Sequence, residues 1–107
     1  MLKRSFRLNK RDIDRIYKEG RSFSFDSFVV RFFPNRASHA RFSVVISKKV
    51  LPLAVDRNHT KRQIFLVISD HKELWQDKNL DIALILKKFN SDSVTNTSIE
   101  KILMELK

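Results

Sequence analysis

The sequence predicts an α+β fold: a single small domain over residues 1–107, one central sheet with helices on it, in the order helix–strands–helix–strand–helix. Three observations lead there. The 107 residues leave room for one hydrophobic core but not for two. Hydrophobic residues make up 42% of the chain, enough for a packed core and too many for a disordered basic tail. Along the chain the apolar spacing also alternates between the three-and-four pattern of helices and the alternating or continuous runs of strands.

Residues 9–19 read as the first helix. Asn9 is placed to cap it, and Asp12, three residues on, completes a capping box and favours the dipole. Ile13, Ile16 and Tyr17 share one face. Gly20, the only glycine, follows the helix end, where a left-handed residue is favoured. Residues 22–33 (SFSFDSFVVRFF) form one long bent strand or two short ones, with Asp26-Ser27 as the bend. Residues 34–39 are a polar turn, and residues 41–47 (RFSVVIS) the next strand. Lys48, Lys49 and Val-Leu-Pro-Leu come next, and Pro52 forbids simple continuation of a central strand. A second helix runs from about Ala54 or Asp56 to about Lys72. Residues 80–86 (LDIALIL) have the near-continuous apolar character of a strand covered on both faces. The last helix opens on the capping box Thr97-Ser98-Ile99-Glu100 and carries the stripe Ile99, Ile102, Leu103, Leu106.

Charge points to a partner. The formal net charge is +10, and it is unevenly spread. Residues 1–62 hold 16 Lys plus Arg against 5 acids, whereas residues 63–107 hold 6 against 7. All ten arginines precede Gln63. Arginine grips phosphate through a planar fork, so the first half is built to meet a polyanion: nucleic acid first, an anionic membrane second. The plain alternative is a generically basic, soluble surface. With no cysteine, a disulfide framework, a thiolate zinc site and a cysteine nucleophile are excluded together. No apolar run is long enough to span a bilayer, and the basic N-terminus lacks the apolar stretch of a signal peptide. The expected location is the cytoplasm.

The informative stretch is residues 54–65, AVDRNHTKRQIF. On a helix with Arg57 at zero, Lys61 falls at about 40°, Phe65 at about 80°, Asn58 at about 100° and Arg62 at about 140°. Thr60, Ile64 and Val67 gather elsewhere. A basic face beside an apolar stripe lets a packed helix dock on a phosphate backbone, with Asn58 free to bond a base or sugar. A solvated basic face has the same pattern. Lys48 and Lys49, just before this helix, extend the patch.

The run Arg41-Phe-Ser-Val-Val-Ile-Ser-Lys48-Lys49, followed by Ala54-Val-Asp-Arg57-Asn58-His59-Thr-Lys61-Arg62, resembles the protein component of bacterial ribonuclease P. That family carries a strand ending in Ser-Lys-Lys, then Ala-Val-x-Arg-Asn-Arg-x-x-Lys-Arg opening a helix. The upstream Tyr-Lys-Glu-Gly and Phe-Val-Val also sit in the expected places, so the resemblance covers nearly the whole chain. It implies an RNA-binding subunit that assists a catalytic RNA in removing the 5′ leader from precursor tRNA. It further implies that Lys48, Lys49, Arg57, Asn58, His59, Lys61 and Arg62 meet the catalytic RNA, and that Ile13 and Tyr17 line a cleft for the leader. By the same implication the fold has a left-handed β-α-β crossover, against the usual preference, and the Mg2+ is held mainly by the RNA with none bound by the protein alone.

Three positions depart from the family pattern. His59 stands where the motif has its second Arg, exchanging a permanent charge for a pH-dependent one. Phe65 stands where a further Arg is expected, in the middle of the basic face, to stack on a base, pack on a neighbour or lie exposed. The Gly usual after Ser-Lys-Lys is replaced within the Val-Leu-Pro-Leu segment. His39, His59 and His71 have no metal-ligand spacing, and one glycine cannot make a phosphate loop. Asp12 and Asp14 are two apart on a helix and do not face each other, which argues against a self-contained nuclease. The rival class is a non-enzymatic basic RNA-binding module, for example a ribosome-associated one.

Overall fold

Asn9 opens the first helix as its side chain dictates, its Oδ1 accepting from the Asp12 backbone N–H at 2.9 Å. The computed structural model describes residues 7–25, 27–36, 39–88 and 96–105. Helix α1 spans Lys10–Glu19. The Asp12 carboxylate is buried and turns to Arg41, with Oδ2 3.3 Å from Nη1, so only the first half of the expected capping box forms. Gly20 is not left-handed. Its φ of −76° and ψ of 161° are extended, because the chain passes straight from the helix into a strand. Glycine is needed there for room: a Cβ would lie 2.5 Å from the Ile16 carbonyl oxygen and 2.8 Å from that of Phe32.

The Phe- and Val-rich stretch is two strands, β1 (Arg21–Phe25) and β2 (Phe28–Pro34), paired antiparallel with Phe25 opposite Phe28. Of the expected Asp26-Ser27 bend, Asp26 lies outside the described residues. Pro34, expected in the turn, instead closes β2 opposite Leu80, at a strand end where a missing N–H is tolerated. Then come β3 (Arg41–Ile46), α2 (Ala54–Asp70), a short 3-10 turn (Lys72–Leu74), β4 (Leu80–Leu86) and α3 (Asn96–Glu105). The side chains of the expected box residues Thr97 and Ser98, and Leu106, lie outside the described residues.

The sheet order is β1-β2-β4-β3, and β3 runs parallel to β4. The link between them passes through α2, giving the β-α-β unit to which the family resemblance assigns a left hand. Strand alternation then divides the sheet into two faces. Phe42, Val44 and Ile46 of β3 and Ile82, Leu84 and Leu86 of β4 join one buried cluster with Ile64 and Ile68 of α2 and Ile102 of α3. Trp75 completes it, edge-on to Phe42 at 5.1 Å between centroids, its Nε1–H donating to the Ile68 carbonyl at 2.8 Å.

The second face carries three rows set by register: Phe33–Asp81–Arg41, then Arg31–Ala83–Ser43, then Val29–Ile85–Val45. Helix α1 lies across the first of these, with Ile16 fully buried beneath it. Asp81, a charge inside an apolar strand, is 1% exposed. Arg41 meets it with both Nε and Nη2 at 2.9 Å, and Asn35 Nδ2 donates to the same carboxylate at 2.7 Å. The hydrogen bond to Asp81 raises the Arg41 pKa above its ordinary value despite the opposing cost of burial, with the charges of Asp81 and Asp12 adding to the rise. Arg41 is therefore a permanent cation binding α1, β3 and β4 together.

Arg41→Ala would strand the Asp81 carboxylate in the interior. The expected loss is about 2–3 kcal/mol in urea unfolding at neutral pH, on the low side for a buried pair because Arg41 is partly exposed. A loss below about 0.5 kcal/mol, the range of an ordinary surface substitution, would deny the pair this role.

Candidate nucleic-acid interface

Parallel pairing brings two lysine pairs to one end of the sheet. Ile46 lies opposite Leu86, so the segments after β3 and β4 leave the sheet side by side. Lys48 and Lys49 succeed one strand and Lys87 and Lys88 the other, and all four are exposed. After β3 the chain turns tightly, with the Val50 and Leu51 backbone N–H groups both donating to the Ser47 carbonyl at 3.1 Å. Leu51 is buried and anchors the far side of this turn in the core. Helix α2 begins at once, so its unpaired first-turn N–H groups add their partial positive charge at the same end.

Arg57 is not simply a surface cation. Its Nη1 donates to the carbonyls of Leu51 at 2.9 Å and Pro52 at 2.8 Å, and the residue is half-buried. It latches the lysine-bearing loop to the first turn of α2. Lys61 is half-buried, while Asn58, His59 and Arg62 stand exposed. Phe65 belongs to the hydrophobic cluster, which resolves its three options in favour of packing. The apolar stripe of α2 is thus wider than the sequence spacing implied. It runs on to Phe65, takes in Arg57 and Lys61 as half-buried members, and leaves Asn58, His59 and Arg62 as the open face.

The second group is Ile13 and Tyr17. Ile13 is half-buried and Tyr17 is 41% exposed, on the flank of α1 that looks along the open sheet face. Arg31, from the second row of that face, lies with its guanidinium carbon 5.1 Å from the Tyr17 ring centroid. Its Nη2 also donates to the Tyr17 carbonyl at 2.8 Å, and its Nε is buried without a hydrogen-bond partner. Beyond Arg31 the half-buried Val29, Val45 and Ile85 form an apolar floor. Four residue steps along β4 and its continuation lead from the Arg31 level, at Ala83, to Lys87, a distance of about 13 Å. Tyr17 therefore opens onto a path that ends at the four lysines.

Sequence reasoning missed Arg31, Lys87 and Lys88. A charge inside an apolar strand was the signal for Arg31. For the second lysine pair the signal was its repetition immediately after an apolar strand, but only the parallel register shows that the two pairs are neighbours. Among the described residues, no three His, Asp or Glu side chains converge on a point where a metal would sit. Asp12 and Asp81, the two buried acids among the described residues, are both turned to Arg41. Among the same residues no helix is long and apolar enough to cross a membrane.

Residues 2–107 match the protein-family model described as Ribonuclease P. The ribonuclease P protein component of Streptococcus pneumoniae strain Hungary19A-6 is 38% identical over 89 residues, covering 81% of this chain and 70% of the relative. The ribonuclease P protein of Thermotoga maritima superposes with a TM-score of 0.80 at 25% identity, over 94% of this chain and 97% of that one. That of Staphylococcus aureus, solved at 2.0 Å, also gives 0.80, at 30% identity and with 95% of each chain covered.

The two arginines of α2 should separate in a stability measurement. Arg57→Ala removes both carbonyl contacts and is expected to cost about 1–2 kcal/mol in thermal unfolding, whereas Arg62→Ala stays within about 0.5 kcal/mol of the parent. Equal melting temperatures for the two variants would deny Arg57 its role as a latch.

Proposed function

The chain belongs to the ribonuclease P protein family, and from that premise we propose how it serves that ribonucleoprotein in tRNA processing: the lysine-rich sheet end grips the catalytic RNA while the α1 cleft holds the 5′ leader of precursor tRNA. Lys48, Lys49, Arg57, Asn58, His59, Lys61 and Arg62 are the residues read onto the catalytic RNA, and Lys87 and Lys88 join them. Ile13 and Tyr17, with Arg31 behind the ring, hold the single-stranded leader. The observation that carries this reading is the continuous path from Tyr17 over the open sheet face to the four lysines. A strand laid along it stacks on an aromatic ring at one end and meets exposed lysines at the other.

In this mechanism the protein supplies binding and position. Its cations offset the repulsion between two large RNAs, releasing counterions as phosphates are neutralised. Asn58 offers a neutral amide to a base edge or a sugar. Tyr17 fixes the leader so that the bond to be cut sits at the RNA's reactive centre. Catalysis belongs to the RNA subunit, whose Mg2+ supplies the Lewis acid for phosphodiester hydrolysis. Among the described residues the two buried carboxylates, Asp12 and Asp81, both lie against Arg41, which supports leaving the chemical step to the RNA. The particle acts in the cytoplasm. The alternative, an RNA-binding module of another particle, has no support among these relatives.

The test is reconstitution with a bacterial ribonuclease P RNA and 5′-labelled precursor tRNA at low magnesium. Leader release at one site, dependent on both components, is expected; tight RNA binding without stimulated cleavage would refute the reading. Within that assay, Tyr17→Ala should weaken leader-bearing substrate about tenfold, the worth of one stacked base, and leaderless tRNA far less. Equal losses for both substrates would remove Tyr17 from the leader path.

A further inference from the structure

Helix α1 has a second flank. Taking Ile16 as the residue that faces the sheet, Tyr17 lies about 100° to one side and Arg15 about 100° to the other. On the Arg15 side, away from the leader path, is an open depression of about 740 Å³ lined by Arg15, Phe33, Pro34, Asn35, Arg36 and Arg41. Its charge is not balanced. Arg41 is held by Asp81 and Asp12, but Arg15 and Arg36 have no ion-pair partner among the described residues. Both are exposed, and they approach the depression from different elements, one from α1 and the other from the turn after β2.

We propose that this depression is a nucleotide subsite, its phosphate held by Arg15 and Arg36 and its base laid on Phe33 and Pro34. Two guanidinium forks fit the oxygens of one phosphate, which a single Lys side chain would meet only as a point charge. The half-buried Phe33 ring and the exposed Pro34 ring supply an apolar surface of the kind that accepts a base regardless of sequence. Asn35 and Arg41 are already engaged with Asp81 and act as the rigid wall rather than as ligands. The clamp that fixes α1 also fixes the distance across this opening. The volume is that of a small-molecule site, large enough for one nucleotide and not for a duplex. Its occupant is either a free nucleotide or one residue of a single strand, such as an upstream part of the leader. In the second case the inference rests on the proposed leader-binding function.

The experiment uses the full chain and backbone amide chemical shifts. AMP, ribose 5-phosphate and a short oligoadenylate are titrated separately. The Phe33, Asn35 and Arg36 amides are expected to shift and saturate with AMP and oligoadenylate if free nucleotides are taken, and with oligoadenylate alone if the site reads only a strand. AMP or oligoadenylate should bind several-fold more tightly than ribose 5-phosphate, and equal binding would sink the base contact. The double variant Arg15→Ala/Arg36→Ala should weaken binding about tenfold at matched ionic strength, and should leave the shifts around Tyr17 in place. Shifts confined to the Tyr17 flank in the parent protein would overturn the proposal, and that result needs no variant to fold. Failure here is distinct from failure of the functional reading, which the reconstituted cleavage assay decides alone.

Discussion

The contact on which the rest depends is the ion cluster of Asp81, Arg41 and Asp12. A carboxylate at 1% exposure in an inner strand of a sheet is costly unless its oxygens are fully met, and here Arg41 and Asn35 meet them. Because the Arg41 fork spends Nε and Nη2 on Asp81, Nη1 is left to face α1, where Asp12 lies. A helix of ten residues, too short to be stable alone, is thereby held across one end of the sheet face. Its position decides what is open. One flank leaves Tyr17 and Arg31 facing the uncovered rows of the sheet, and the other leaves the arginine-lined depression.

The opposite end of the sheet is organised by strand direction. Two parallel neighbours finish at the same level, so the segments that continue from them are brought together. The lysine pairs owe their proximity to this register, and Lys48 and Lys49 stand on the loop that Arg57 latches. Arg57 shows how a residue of a nucleic-acid motif also builds the surface it belongs to. A guanidinium has five donors, and two carbonyls at 2.8–2.9 Å still leave N–H groups for a phosphate.

Much of this was legible from the residues. The Asn9 cap, the Ser-Phe alternation, the apolar run at β4 and the stripe at α3 each identify an element, because local hydrogen bonding and periodicity are encoded locally. The motif around Arg57 and Asn58 identified the family for the same reason. The features that were not legible depend on contacts distant in sequence. Gly20 has the sequence position of a left-handed cap, but its role is to leave room for the Phe32 carbonyl, a contact twelve residues away. Phe65 looked like an intrusion on a basic face, since only tertiary packing shows how wide the buried stripe of α2 is. Lys87 and Lys88 lay in the acid-balanced half of the chain and became part of the basic surface only through the parallel register. Asp81 was hidden in a run that hydropathy reads as uniformly apolar.

The central claim is that leader recognition and catalytic-RNA binding reside in separable parts of the fold, with the first dependent on how α1 is tied to Arg41. Asp12→Asn tests it most directly, since it removes the ionic tie and leaves the backbone N–H that Asn9 caps. The measurement is the ratio of affinities of the reconstituted particle for leader-bearing and leaderless tRNA, taken alongside the protein's affinity for the catalytic RNA. The account predicts a smaller ratio with unchanged RNA affinity; a ratio that stays constant, or an RNA affinity that falls in step with it, would contradict it.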